Sequence, residues 1–146
     1  MLQIGETYEA DLLINYDKQV IFCDIIGDLN ELHRKHGDAR VLINGMYSVC
    51  LVGGILSKLY PESINIQRSA KFIRPIYLDE SYKIVVKLCD IIENIGVGII
   101  KVQIKDAKNR TCITVDTQIK NNEYLFPNVF VFIQTIIIFA AKNRYA

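Results

Sequence analysis

The clearest periodicity in the chain lies in its second half. In SYKIVVKLCDII, Tyr82, Ile84, Val86 and Leu88 fall on one side of an extended chain, and Lys83, Val85, Lys87 and Cys89 on the other, because successive side chains of a strand point to opposite faces. That alternation predicts a half-buried antiparallel strand. Three further segments read as strands: SINIQRSAKFI before it, and GVGIIKVQIKD and TCITVDTQIK after it. The stretches RPIYLDE, ENI and AKNR separate them. Upstream, MYSVCLVGGILSKLY from Met46 to Tyr60 is apolar on nearly every face and stops at Pro61, the pattern of a buried helix. Gly53 and Gly54 each cost that helix roughly 1 kcal/mol relative to alanine. Close approach of another backbone, under a sheet, is the expected reason for them.

The first half is less regular. Tyr8 to Ile14 reads as a short strand, and a helical segment follows from Asp17, which is placed to cap it. Val20, Ile21, Asp24 and Ile25 recur at helical spacing, and Gly27 interrupts the pattern. One strand, a helical region, one long apolar helix and four successive strands predict an α+β domain. In it, a single antiparallel sheet wraps around the central helix. The domain is expected to occupy residues 1–120, leaving residues 121–146 as an apolar C-terminal extension. Its run VFVFIQTIIIFAA, Val129 to Ala141, is 13 residues long, short of the roughly 18 to 20 that span a bilayer. An added strand or helix packed on the domain or its partner is the expectation for it, ahead of membrane contact.

Length and charge narrow the function classes. A chain of 146 residues fits one domain with a core of ordinary size. A net charge of +1 supplies no broad field for nucleic acid or acidic partners, which favours a small or neutral ligand. Cys23, Cys50, Cys89 and Cys112 are far apart, each within an apolar segment and none in a CxxC pair. They are expected to be reduced core residues. The opening MLQIGETYEADLL has no basic region followed by a long apolar run, so a cytoplasmic location is the default.

The chemistry-bearing residues concentrate in IIGDLNELHRKHGDA, Ile25 to Ala39. They have a structural reading: Asp28 and Glu31 have the spacing of a permissive capping box, and Asn30 is placed to cap a turn containing His33 and His36. They also have a catalytic reading, in which Asp28 and His33 form an acid/base pair. Five residues along an α-helix rotate the chain by about 500°, leaving the two side chains some 140° apart, and five along a strand put them on opposite faces. They converge only if the chain bends between them, and Gly27 and Asn30 put a break there. A metal site built on His33, His36 and Asp38 lacks the further ligands that zinc requires.

Phe22 together with IIGDLNELHRKHGDA resembles the signature of the R-specific enoyl-CoA hydratases and MaoC-type dehydratases. There an aromatic residue precedes G-D-x-N-P-hydrophobic-H and an alanine follows. Gly27, Asp28, Asn30, Leu32, His33 and Ala39 fall in the matching places. INGMYSVCLVGGIL is similar to that family's V-H-G-M segment, and QRSAKFIRPIYLDE to its Q-x-x-x-F-x-x-P-V strand and turn. The likeness runs from Tyr8 to about Lys120. The departures are Glu31 for proline, Ile26 for a small hydroxyl residue, Asn44 for histidine, and Asp79-Glu80 for Gly-Asp. Glu31 and Asn44 bear on loop shape and substrate access.

The resemblance implies a hotdog fold, a homodimer with its active site near the subunit interface, and reversible hydration of trans-2-enoyl-CoA to (R)-3-hydroxyacyl-CoA. Esters of acyl carrier protein are the close variant. Asp28 and His33 would move the protons, the backbone N–H of Gly45 would hold the thioester oxygen, Asn30 would support the loop, and Met46 and Phe72 would contact substrate. No cofactor and no metal are implied, since coenzyme A arrives with the substrate. Read by itself, Gly45 fits a tight turn better than an oxyanion role. Arg34, Lys35 and Arg40 are either contacts for coenzyme A phosphates or a solvated basic surface. The alternatives in function are an acyl-CoA thioesterase and a non-catalytic acyl-CoA-binding hotdog subunit.

Overall fold

The computed structural model describes residues 3–120. Its strands are β1 (Thr7–Asp11), β2 (Ile64–Phe72), β3 (Tyr82–Ile92), β4 (Val97–Asp106) and β5 (Thr111–Lys120). Its helices are α1 (Tyr16–Ile26) and α2 (Gly45–Leu59), with single 3-10 turns at Glu31–His33 and Glu93–Ile95. The C-terminal apolar run lies outside the described residues.

The strands form one antiparallel sheet in the order β1-β3-β4-β5-β2. Its inner face carries the alternating apolar positions read from the sequence. Tyr82, Ile84, Val86 and Leu88 of β3 are buried, as are Ile100, Val102 and Ile104 of β4 and Val115 of β5. Against them pack Tyr47, Val49, Val52 and Leu56 of α2. Burying each such aliphatic side chain stabilises the fold by about 1.5–3 kcal/mol. The result is the expected α+β architecture, a sheet curled around a long helix.

Four local expectations need correction. The cap of α1 is Asn15, whose side chain accepts from Lys18 N–H, and not Asp17, which lies inside the first turn. The inner face of α1 carries Gln19 and Cys23, while Ile21 and Ile25 point outward, Ile25 being 78% exposed. The amide of Gln19 has backbone partners to meet in the interior, and those partners fix the rotation of the helix. Only Cys23 and Cys112 are buried; Cys50 and Cys89 are exposed. Finally, no backbone crowds the α2 glycines. A Cβ on Gly53 would meet the Arg68 guanidinium at 3.0 Å, and one on Gly54 would meet nothing within 4 Å.

Candidate functional site

Helix α1 ends at Gly27, whose φ of 72° is left-handed and whose N–H closes on Asp24 O and Cys23 O. Glycine takes that conformation without a Cβ penalty. The chain then turns sharply. Asp28 Oδ1 accepts from Asn30 N–H at 3.0 Å, and Asn30 Oδ1 accepts from Leu32 N–H at 3.1 Å, capping the turn Glu31–His33. Two successive side-chain caps thus supply the bend that neither helix nor strand provides. Across it, Asp28 Oδ2 lies 3.5 Å from His33 Nε2.

His33 is buried, and its Nδ1 lies 2.9 Å from Leu42 O. A carbonyl oxygen only accepts, so Nδ1 carries a proton, and Nε2 is the nitrogen that faces Asp28. Asp28 is held at its other oxygen by Asn44, whose Nδ2 donates to Asp28 Oδ2 at 2.6 Å. The Asn30 N–H, then the Asn44 carboxamide and the charges of His33 and Arg34, hold the Asp28 carboxyl below its ordinary value, against the opposing effect of desolvation.

Helix α2 opens beside this pair. Asn44 caps it, its Oδ1 accepting from Tyr47 N–H at 3.0 Å. Gly45 follows as the first helical residue, and its N–H has no acceptor among the described residues. Such an amide, at the positive end of the helix dipole, is a donor for an oxyanion. Gly45 has a second reason to be glycine: a Cβ there would stand 2.6 Å from the Phe72 ring.

His33, Gly45, Met46 and Phe72 all line a cleft of about 490 Å³, whose remaining wall includes Ile73, Pro75, Ile76 and Ile113. Met46 and Phe72 are 53% and 52% exposed. Asp28 is not among the lining residues; it stands behind His33 and Asn44, a quarter exposed. Arg74 lines the cleft as well, whereas Arg34 pairs with Asp24 and Arg40 with Glu80 outside it. His36 is exposed and pairs with Glu31. Among the described residues, no group of three or more His, Cys, Asp or Glu side chains is placed to hold a metal ion.

Two residues with structural roles here were not singled out as site residues in the sequence. Asn44 stands in the sequence as a departure from the family pattern that bears on loop shape and substrate access, with nothing local to pair it with Asp28. Gln19, fully buried, donates to His33 O at 3.0 Å and Leu42 O at 3.4 Å and accepts from Asn44 N–H at 2.9 Å. It ties the His33 turn to the start of α2. A glutamine one helical turn before Cys23 in an otherwise apolar stretch was the available signal.

The geometry can be set beside known proteins. No protein-family model and no curated protein matches the chain. Solved structures do. The (R)-hydratase from A. caviae involved in PHA biosynthesis superposes with a TM-score of 0.73, covering 82% of this chain and 97% of its own at 18% identity. The fold is that of the R-hydratases and MaoC-like dehydratases, the hotdog. The unliganded R-hydratase of Pseudomonas aeruginosa gives a TM-score of 0.73 at 16% identity, covering 82% of each chain. The HadBC (3R-hydroxyacyl-ACP dehydratase) complex of Mycobacterium tuberculosis gives 0.65 at 7% identity, covering 80% of this chain and 95% of that one. Among the described residues no helix is long and apolar enough to cross a membrane.

Proposed function

We propose that this hotdog chain, as a homodimer, catalyses reversible hydration of trans-2-enoyl thioesters of coenzyme A or acyl carrier protein to the (R)-3-hydroxyacyl esters. One observation carries the reading: an aspartate and a histidine 3.5 Å apart, with the histidine and the free Gly45 amide on the wall of one apolar cleft. In the hydration direction, water is held on the cleft side of the Asp28–His33 pair, and its oxygen forms the bond to C3 as His33 Nε2 takes its proton. The electron pair of the double bond moves toward the thioester, whose oxygen accepts from Gly45 N–H while it is negative. Return of the proton to C2 completes the addition, and no electron acceptor is needed. Asn30 supports the bend, and Met46 and Phe72 form the wall against the acyl chain.

The dimer belongs to the same proposal. Among the described residues, β2 is an edge strand of nine residues with no neighbour on its outer side. It exposes Ile64 and Ile66, and ends at Phe72 on the cleft. An unpaired edge is a template for another strand, and a second copy of β2 would extend the sheet while closing the cleft mouth.

Crotonyl-CoA is the first assay, followed as loss of absorbance at the enoyl thioester band. The expected outcome is turnover that falls by about 100-fold or more in Asp28→Asn and in His33→Gln, the scale of lost acid–base catalysis. Release of free thiol instead would assign a thioesterase. Thermal stabilisation by the ligand without turnover would assign a binding subunit.

A further inference from the structure

Three groups meet at Asp28 Oδ2. His33 Nε2 approaches to 3.5 Å and Asn44 Nδ2 donates at 2.6 Å, while Oδ1 of the same carboxylate is occupied by the Asn30 amide. Asn44 is itself held on every side: its Oδ1 caps Tyr47 N–H, its N–H donates to the buried Gln19, and the residue is 6% exposed. A carboxamide fixed in this way has its NH₂ end turned toward Asp28, because its oxygen is already committed to α2.

We infer that Asn44 is a positioning residue that divides the work of the pair. It holds Asp28 as a permanent acceptor and leaves His33 Nε2 as the group that takes and returns the proton. Protonating Asp28 at Oδ2 would set an O–H against the N–H of Asn44, and protonating Oδ1 would set one against the Asn30 amide. Either breaks a charge-assisted hydrogen bond. His33 meets no such obstacle. Its Nδ1–H stays on Leu42 O in both states, and among the described residues the partner of Nε2 is the acceptor Asp28 Oδ2. The charged or titratable groups facing Asp28 are His33, Arg34 and the buried Cys23. The first turn of α2 contributes no acid, and its N-cap residue Asn44 donates to Asp28.

This inference rests on the Asp28–His33 reading, and its test does not depend on turnover. The Asp28 side-chain carboxyl carbon is titrated by NMR in the full chain, in the parent and in two variants. Asn44→Ser keeps a capping oxygen on α2 but is too short to reach Asp28. Asn44→Asp keeps the cap and replaces the donor with a like charge. The Asp28 midpoint should rise in Asn44→Ser and rise further in Asn44→Asp, with circular dichroism showing that both variants are folded. An unchanged Asp28 midpoint in both folded variants overturns the inference, whether or not crotonyl-CoA is hydrated. Absence of turnover alongside the upward shifts overturns the hydratase reading and leaves the role of Asn44 standing. Where turnover is present, the acid limb of kcat/KM in the parent should follow the His33 ring titration, read from the same samples. An acid limb that follows Asp28 instead overturns the division of work.

Discussion

At the scale of single residues, the site is held by side chains that each satisfy two demands. Gly45 leaves its N–H open and also leaves room for Phe72. Gly45→Ala should therefore cost about 1–3 kcal/mol of stability through overpacking, measured by urea denaturation. Truncating the ring in Gly45→Ala/Phe72→Ala should recover most of that cost relative to Phe72→Ala alone. Strictly additive losses would show that the ring is not the obstacle. Asp28 gives a pH prediction with a definite sign. Its folded pKa is depressed, so the stabilisation tied to its charge is present above the ordinary carboxylate value of about 3.9 and is lost as pH falls through the lower folded value. The melting-temperature gap between parent and Asp28→Asn should be widest near neutral pH and close in acid; a gap that widens in acid contradicts the hydrogen bonding described. Asp28, Asn30 and His33 were legible in the sequence because caps and bends leave short local signatures. Gln19 and the interior role of Asn44 were not, because their partners are 14 to 25 residues away and no local spacing encodes such contacts.

At the scale of elements, β2 to β5 and α2 came out of the pattern within a residue, since each turns apolar positions to one core, while β1 ends three residues earlier than expected, at Asp11. The bounds of α1 also came out within a residue, but its rotation did not. Its apolar residues Ile21 and Ile25 face outward, so hydrophobic spacing alone pointed to the wrong side, and the hydrogen bonds of Gln19 decided the rotation instead. The β4–β5 hairpin depends on a polar lock of a similar kind. Asp106 Oδ1 accepts from Lys108 N–H and Arg110 N–H, at 3.0 and 2.8 Å, and Oδ2 accepts from Arg110 Nε at 2.7 Å. The Arg110 amide first, then its guanidinium, hold this carboxyl below its ordinary value. Asp106→Asn should lower the melting temperature at neutral pH, and the difference should shrink as acid protonates the parent. Hydrogen exchange should locate the loosening at residues 106–110, and protection there equal to the parent's would refute the lock.

At the scale of the whole molecule, the edge that β2 leaves unpaired among the described residues and the cleft are one surface. β2 runs from the exposed Ile64 to Phe72, and Phe72 rests over Gly45, so whatever pairs with the edge also borders the cleft beside Met46. The ladder between β2 and β5 skips Ile66, which lies at a register shift between Asn65 and Gln67. Ile66 therefore has no partner in β5, and its half-exposed side chain is available to a second copy. Ile66→Lys puts a charge where an isologous interface would bring two copies of it together. Sedimentation velocity of the parent should give a dimer, and Ile66→Lys should move it toward the monomer while circular dichroism is unchanged. Turnover of crotonyl-CoA should fall with the dimer population, because the monomer's cleft is open to water that competes for the Gly45 amide and for His33. A parent that sediments as one chain at full activity would remove the edge from the proposed mechanism, and the Asp28–His33 pair would then have to work beside a cleft walled by this chain's own residues.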